Sequence, residues 1–155
     1  MDVYVNLKTL GIELVPVPPA AGAYQSAVPF GGNLLYLSGA GPTQHDGKFD
    51  YVGKVGRDMD EKTAYAAARS VGITQLSILH AVTSDLNRVR KLVKVLGFVH
   101  CTEDFARQPA VINGFSELMI QVFGKEIGAH ARSAIGVNAL PGGIPVEVEL
   151  LVELG

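Results

Sequence analysis

Tryptophan is absent from this 155-residue chain, and cysteine occurs once, at Cys101. A single cysteine excludes an intrachain disulfide and suits a reducing compartment. Charge is scarce: Asp, Glu, Lys and Arg make 18% of the residues, below the roughly 25% of an ordinary soluble domain. The 13 basic residues do not offset the 15 acidic ones, and the net charge is −2. With no basic tract, a nucleic-acid partner is not expected. No apolar run approaches the roughly 18 residues of a membrane helix. The first residues, from Met1 to Asn6, lack a basic segment leading into an apolar one, so a cytoplasmic protein off the membrane is expected.

Apolar residues are abundant, at 48%. A chain of this length is one domain by size, and it has more apolar surface than its charge can cover. Subunit interfaces absorb such an excess. Pro16-Val17-Pro18-Pro19 predicts an extended N-terminal arm over residues 1–19, after a short helix ending near Leu10, because proline disfavours helix before it and lacks a donor. Residues 20–155 are expected to form the domain proper.

Gln25–Phe30 and Leu34–Leu37 read as strands joined by a Gly31-Gly32-Asn33 hairpin loop. The polar, glycine-rich stretch from Ser38 to Gly56 is long for a loop, which marks it as functional or as holding further strand. Ala64, Ala67, Ala68, Val71, Leu76, Leu79 and Val82 recur at helical spacing after Asp60, a suitable cap. Lys91–Cys101 is apolar on both faces and predicts a central strand covered on both sides. A second helix is expected from Gln108 to Phe123, with Pro109 in its first turn and Gly124 ending it. Arg132–Val137 and Val146–Leu154 read as strands around the turn at Leu140-Pro141-Gly142-Gly143. In the last, Val146, Val148, Leu150, Val152 and Leu154 share one face, and Glu147, Glu149, Leu151 and Glu153 the other. The fold class is therefore α+β: a mixed sheet with two helices on one face and the other face open to a second copy.

No phosphate loop, G-x-S-x-G, H-E-x-x-H or C-x-x-C motif occurs. His45, His80, His100 and His130 have no ligand spacing, so no metal is expected. Consecutive strand residues face opposite ways, so His100 does not activate Cys101, which reads as a buried structural thiol. Arg132, between Ala131 and the small Ser133 and Ala134, reads either as a carboxylate fork in a pocket or as a surface arginine paired with a C-terminal glutamate. Glu147 and Glu149 are either solvated or, beside an apolar interface, desolvated and suited to acid–base work. Tyr24 is a pocket wall or packing, and Ser38-Gly39 an anion contact or a plain turn.

Taken together, Ala131-Arg132-Ser133-Ala134, Leu140-Pro141 and Val146-Glu147-Val148-Glu149 resemble the signature of the reactive intermediate deaminases, the Rid or YjgF-like proteins also called the endoribonuclease L-PSP family. Gly22-Ala23-Tyr24, Leu35-Tyr36-Leu37-Ser38-Gly39, and Asn113 with Glu117 are similar to further family positions. The resemblance spans roughly Ala20 to Leu154. It implies a chorismate-mutase-like fold, a homotrimer with a ligand cleft at each subunit interface, and hydrolysis of 2-imino acids or enamines to 2-keto acids and ammonia without metal or organic cofactor. By matching motif, Arg132 clamps a small carboxylate-bearing metabolite and Glu147 positions water. Ser38 and Gly39 hold the ligand, and Tyr24, Asn113 and Ala134 line the cleft. Ala40 stands where many members have Gln, and Ala134 where the imine deaminase branch often has Cys. The arm and the segment 44–57 make this chain longer than the compact members, which points to a longer subgroup. Rival readings are a metabolite-binding regulator without turnover, a ribonuclease or translation inhibitor, and a chorismate-mutase-like isomerase.

Overall fold

The computed structural model describes residues 2–155. Helix α1 (Val3–Thr9) is followed by an extended arm, then strands β1 (Ala27–Phe30) and β2 (Leu34–Ala40). A small hairpin, β3 (Gln44–His45) and β4 (Lys48–Phe49), leads to helix α2 (Glu61–Thr83). Strand β5 (Val89–His100), helix α3 (Gln108–Gly128), strand β6 (Ala131–Val137) and strand β7 (Val146–Leu154) complete the chain. The main sheet has the order β1-β2-β7-β5-β6, antiparallel except for the β5–β6 pair. That parallel pair needs a crossover, and α3 supplies it.

The helices form where the apolar period and caps place them. Asp60 accepts from Thr63 N at 2.8 Å and opens α2. Its small face, Ala64, Ala67, Ala68 and Val71, is wholly buried. Val111, Ile112, Phe115, Leu118, Met119 and Val122 of α3 are buried as well. Against them lie Leu35, Leu37, Leu92, Val95, Val99, Val146, Val148 and Val152 from one face of the sheet. Cys101 is buried at the edge of this core.

Three expectations are corrected. The short N-terminal helix forms, but as a third packed helix and not as part of an arm: Val3 and Leu7 of α1 join the core, and Asn6 Nδ2 donates to Val122 O at 2.7 Å. Val82 is exposed, since in the last turn of α2 the neighbouring Thr83 faces the core in its place. Gly124 breaks α3 where expected: it takes a φ of 79°, open to glycine, and only a short further turn of helix runs on to Gly128. Strand β5 is covered on one face only within the chain; Leu96, Phe98 and His100, on the other face, stay half-buried. That open face also carries exposed Val28, Phe30, Tyr36 and Ile135.

Candidate functional site

Strand β2 pairs regularly with β7 up to Leu37 opposite Leu150, and pairing resumes with Ala40 opposite Val148. Between them Ser38 and Gly39 form a bulge, a device that bends a strand and re-aims its neighbours. The bulge brings Gly39 so close to Glu147 that an added Cβ would fall 3.0 Å from the carboxyl carbon. Only glycine leaves room for the carboxylate there.

The bulge forms the floor of a cavity of about 710 Å³. Tyr24, Ser38, Gly39 and Glu147 line it together, four of the residues singled out from sequence. The Ser38 hydroxyl donates to Gln25 O at 2.6 Å, and Tyr24 Oη accepts from Ala21 N at 3.2 Å. Burial, reinforced by the neighbouring Glu149 carboxylate, holds Glu147 above the ordinary carboxyl range. Such a carboxylate is a stronger proton acceptor than a solvated one.

Arg132, Asn113 and Ala134 lie elsewhere. Arg132 pairs with Val95 and faces α3, whereas Glu147 pairs with Phe98 on the open face. One strand lies between them, with three residues of register offset, so their Cα atoms are about 14 Å apart at ordinary strand spacing. No rotamer of one chain joins them. Ala134 pairs with Gly97 on the same side as Arg132. Glu117, paired with Asn113 in the sequence motif, instead accepts from Tyr65 Oη at 2.6 Å.

The arginine does not pair with a C-terminal glutamate. Its Nη1 donates to Asn113 Oδ1 at 2.9 Å and to Ser116 Oγ at 3.2 Å, and its Nη2 to Pro109 O at 3.3 Å. All three partners are neutral acceptors, so the charge itself is left for an anion. Partial burial already lowers the guanidinium pKa. Behind it, His130 Nδ1 donates to Gly128 O at 2.7 Å, because a carbonyl only accepts. His130 Nε2 therefore accepts from the Ser116 hydroxyl at 2.9 Å, and Ser116 Oγ is free to accept from Arg132. Burial keeps His130 below its ordinary pKa and so in this neutral tautomer.

Sequence reasoning passed over Ser116 and His130 as arginine supports, and Gln75. Gln75 Nε2 reaches from α2 to donate to Ser38 O at 2.9 Å and Val148 O at 2.6 Å. These are carbonyls of the bulged strand and of its partner. A buried glutamine inside an apolar helix stripe was the available signal.

A family model described as "YjgF/chorismate mutase-like, putative endoribonuclease" matches residues 5–154. The chain belongs to the YjgF/chorismate mutase-like family. Within it, Protein TCP17 of Trypanosoma cruzi is 40% identical over 152 residues, covering 98% of this chain and 94% of that protein. The solved structure of protein Atu1372 from Agrobacterium tumefaciens is 38% identical, with a TM-score of 0.87 over 99% of this chain and 94% of that one. A Shewanella oneidensis structure, described as a "putative endoribonuclease", is 27% identical with a TM-score of 0.93 over 99% and 100%. RidA from a Psychrobacter species, at 25% identity, gives a TM-score of 0.59 over 89% of this chain and 94% of its own. This YjgF-like chain thus shares its whole length with some relatives and a smaller common core with RidA. Among the described residues, no three His, Cys, Asp or Glu side chains group as metal ligands, and no helix is long and apolar enough to cross a membrane.

Proposed function

We propose that this YjgF-like protein hydrolyses 2-imino acids, or their enamine tautomers, to 2-keto acids and ammonia. The observation that carries this reading is the half-buried Glu147 carboxylate, raised in pKa and set against the Ser38–Gly39 bulge in a largely apolar cavity. A water held by Glu147 adds its oxygen to the imine carbon while the carboxylate takes its proton. That proton passes to nitrogen to give the carbinolamine; Glu147 then carries the hydroxyl proton to nitrogen as the C–N bond breaks, so ammonia leaves and the carbonyl forms. An imine carbon is electrophilic enough that proximity and a proton acceptor suffice. Keto acid release from enzymatically generated imino acids tests the reaction.

The cleft is completed in this reading by Arg132 of a neighbouring copy, whose guanidinium takes the substrate carboxylate. The separation of Arg132 from Glu147 within one chain supports it, as does the apolar open face around Phe30, Tyr36 and Ile135. Light scattering should report a homotrimer, three times the 16.4 kDa of the chain. A monodisperse monomer at micromolar concentration would remove the cleft. The acidic stripe of Glu147, Glu149 and Glu153 on that face disfavours an RNA substrate.

Glu147→Gln keeps shape and removes the proton acceptor, so hydrolysis should fall by about 10²–10⁴-fold. Stability should move the other way. A carboxyl whose folded pKa is raised holds its proton more tightly when folded, so stability falls as pH rises from the ordinary value through the folded one. Glu147→Gln should therefore melt above wild type at pH 8, and the gap should close toward pH 4. A gap that widens on acidification would contradict the buried-carboxylate account.

A further inference from the structure

Two segments that the sequence marks as additions meet at one cavity. The arm supplies Pro18 and Pro19 to one wall, and β4 supplies Phe49 to another, with Ile78 of α2 and Ile144 completing the apolar lining. Neither segment is loose. Helix α1 docks on the core, and further along the arm Val15 N donates to Ser77 Oγ at 2.9 Å, beside Ile78. Two consecutive prolines then fix the backbone as it enters the cavity wall. The Phe49 ring is packed against Gly142, where an added Cβ would lie 2.9 Å from it, and against Gly41, where one would lie 3.3 Å away. The apolar wall is thus braced on both sides, and the cavity's carboxylate, Glu147, stands at the Ser38–Gly39 bulge.

We propose that Pro18, Pro19 and Phe49 are specificity-determining residues, and that the substrate carries an aliphatic or phenyl substituent larger than methyl. The proposal rests on the hydrolase reading above, with the substituent lying along the arm and the reacting carbon at Glu147. A rigid apolar wall rewards each buried carbon, about fourfold in affinity per methylene, and it leaves a methyl substituent with unfilled space.

The test is calorimetric titration of the full-length protein with pyruvate, 4-methyl-2-oxopentanoate and phenylpyruvate. The branched and phenyl acids should bind at least tenfold more tightly than pyruvate. Phe49→Ala, checked for folding by its melting curve, should shrink that preference at least fivefold. Ser77→Ala removes the arm's hydrogen bond beside Ile78 without touching the cavity lining. It should flatten the series while leaving turnover of the pyruvate-derived imine near wild type. Equal affinities across the series, or a series untouched by both variants, overturns the filter. The hydrolase reading fails separately, if the wild-type protein releases no keto acid from enzymatically generated imino acids. Binding of none of the three acids overturns both.

Discussion

Arg132→Ala is expected to weaken binding of a 2-keto acid by roughly 2–5 kcal/mol, as for truncating one side of a desolvated charge pair. The expectation follows from how the side chain is held. Asn113, Ser116 and the Pro109 carbonyl accept from the guanidinium, yet none carries charge. The arginine is therefore oriented but not neutralised, and a planar carboxylate is the partner that fits its remaining donors. Arg132→Lys should recover only part of the loss, because an ammonium offers a point charge and not a fork. Ser116→Ala should weaken binding less, since it removes one support and leaves the charge. Glu147→Gln should spare affinity, which separates clamp from acceptor. Titration of pyruvate or 2-oxobutanoate into these variants by calorimetry reads all four. Unchanged affinity in Arg132→Ala would end the role of this arginine as a clamp and, with it, the need for a neighbouring copy at the cleft.

The second large effect is on stability. Gln75 is 1% exposed, and its single amide nitrogen serves both Ser38 O and Val148 O. The bulge opens the ladder at that point, and α2 closes it with a side chain. Gln75→Leu fills the space but leaves two buried acceptors without a donor, at about 1–3 kcal/mol each. The melting temperature should drop by roughly 5–15 °C for a chain of this size. Gln75→Glu adds a sharper test. The ionised carboxylate faces two carbonyl oxygens and should destabilise at pH 7, whereas the protonated acid donates one hydrogen bond, so lowering the pH should restore part of the loss. Cavity ligands should also bind less tightly to both variants, because the bulge that places Gly39 beside Glu147 is no longer held. Wild-type melting of Gln75→Leu would mean the bulge supports itself.

Local pattern carried much of the architecture. The alternation in Val146–Leu154 assigns Glu147 and Glu149 to one face and the valines to the other, and the strand forms with those bounds and that burial. The alanine stripe after Asp60 and the apolar stripe after Pro109 likewise specify α2 and most of α3. These are short-range signals: a period of two or 3.6 residues, a cap, a proline at a first turn. The motifs around Tyr24, Ser38, Gly39 and Glu147 were legible too, and those residues line one cavity. Other features depend on contacts distant in sequence. The Leu37-to-Ala40 bulge exists because β2 must register with β7, more than a hundred residues away, and its freed carbonyls find Gln75 on a helix between the two. Arg132 turns toward Asn113 and Ser116 because β6 lies parallel beside β5 with α3 folded over that edge. The choice between those partners and a glutamate was a matter of which face the strand presents, and a strand's face is set only when the sheet has assembled.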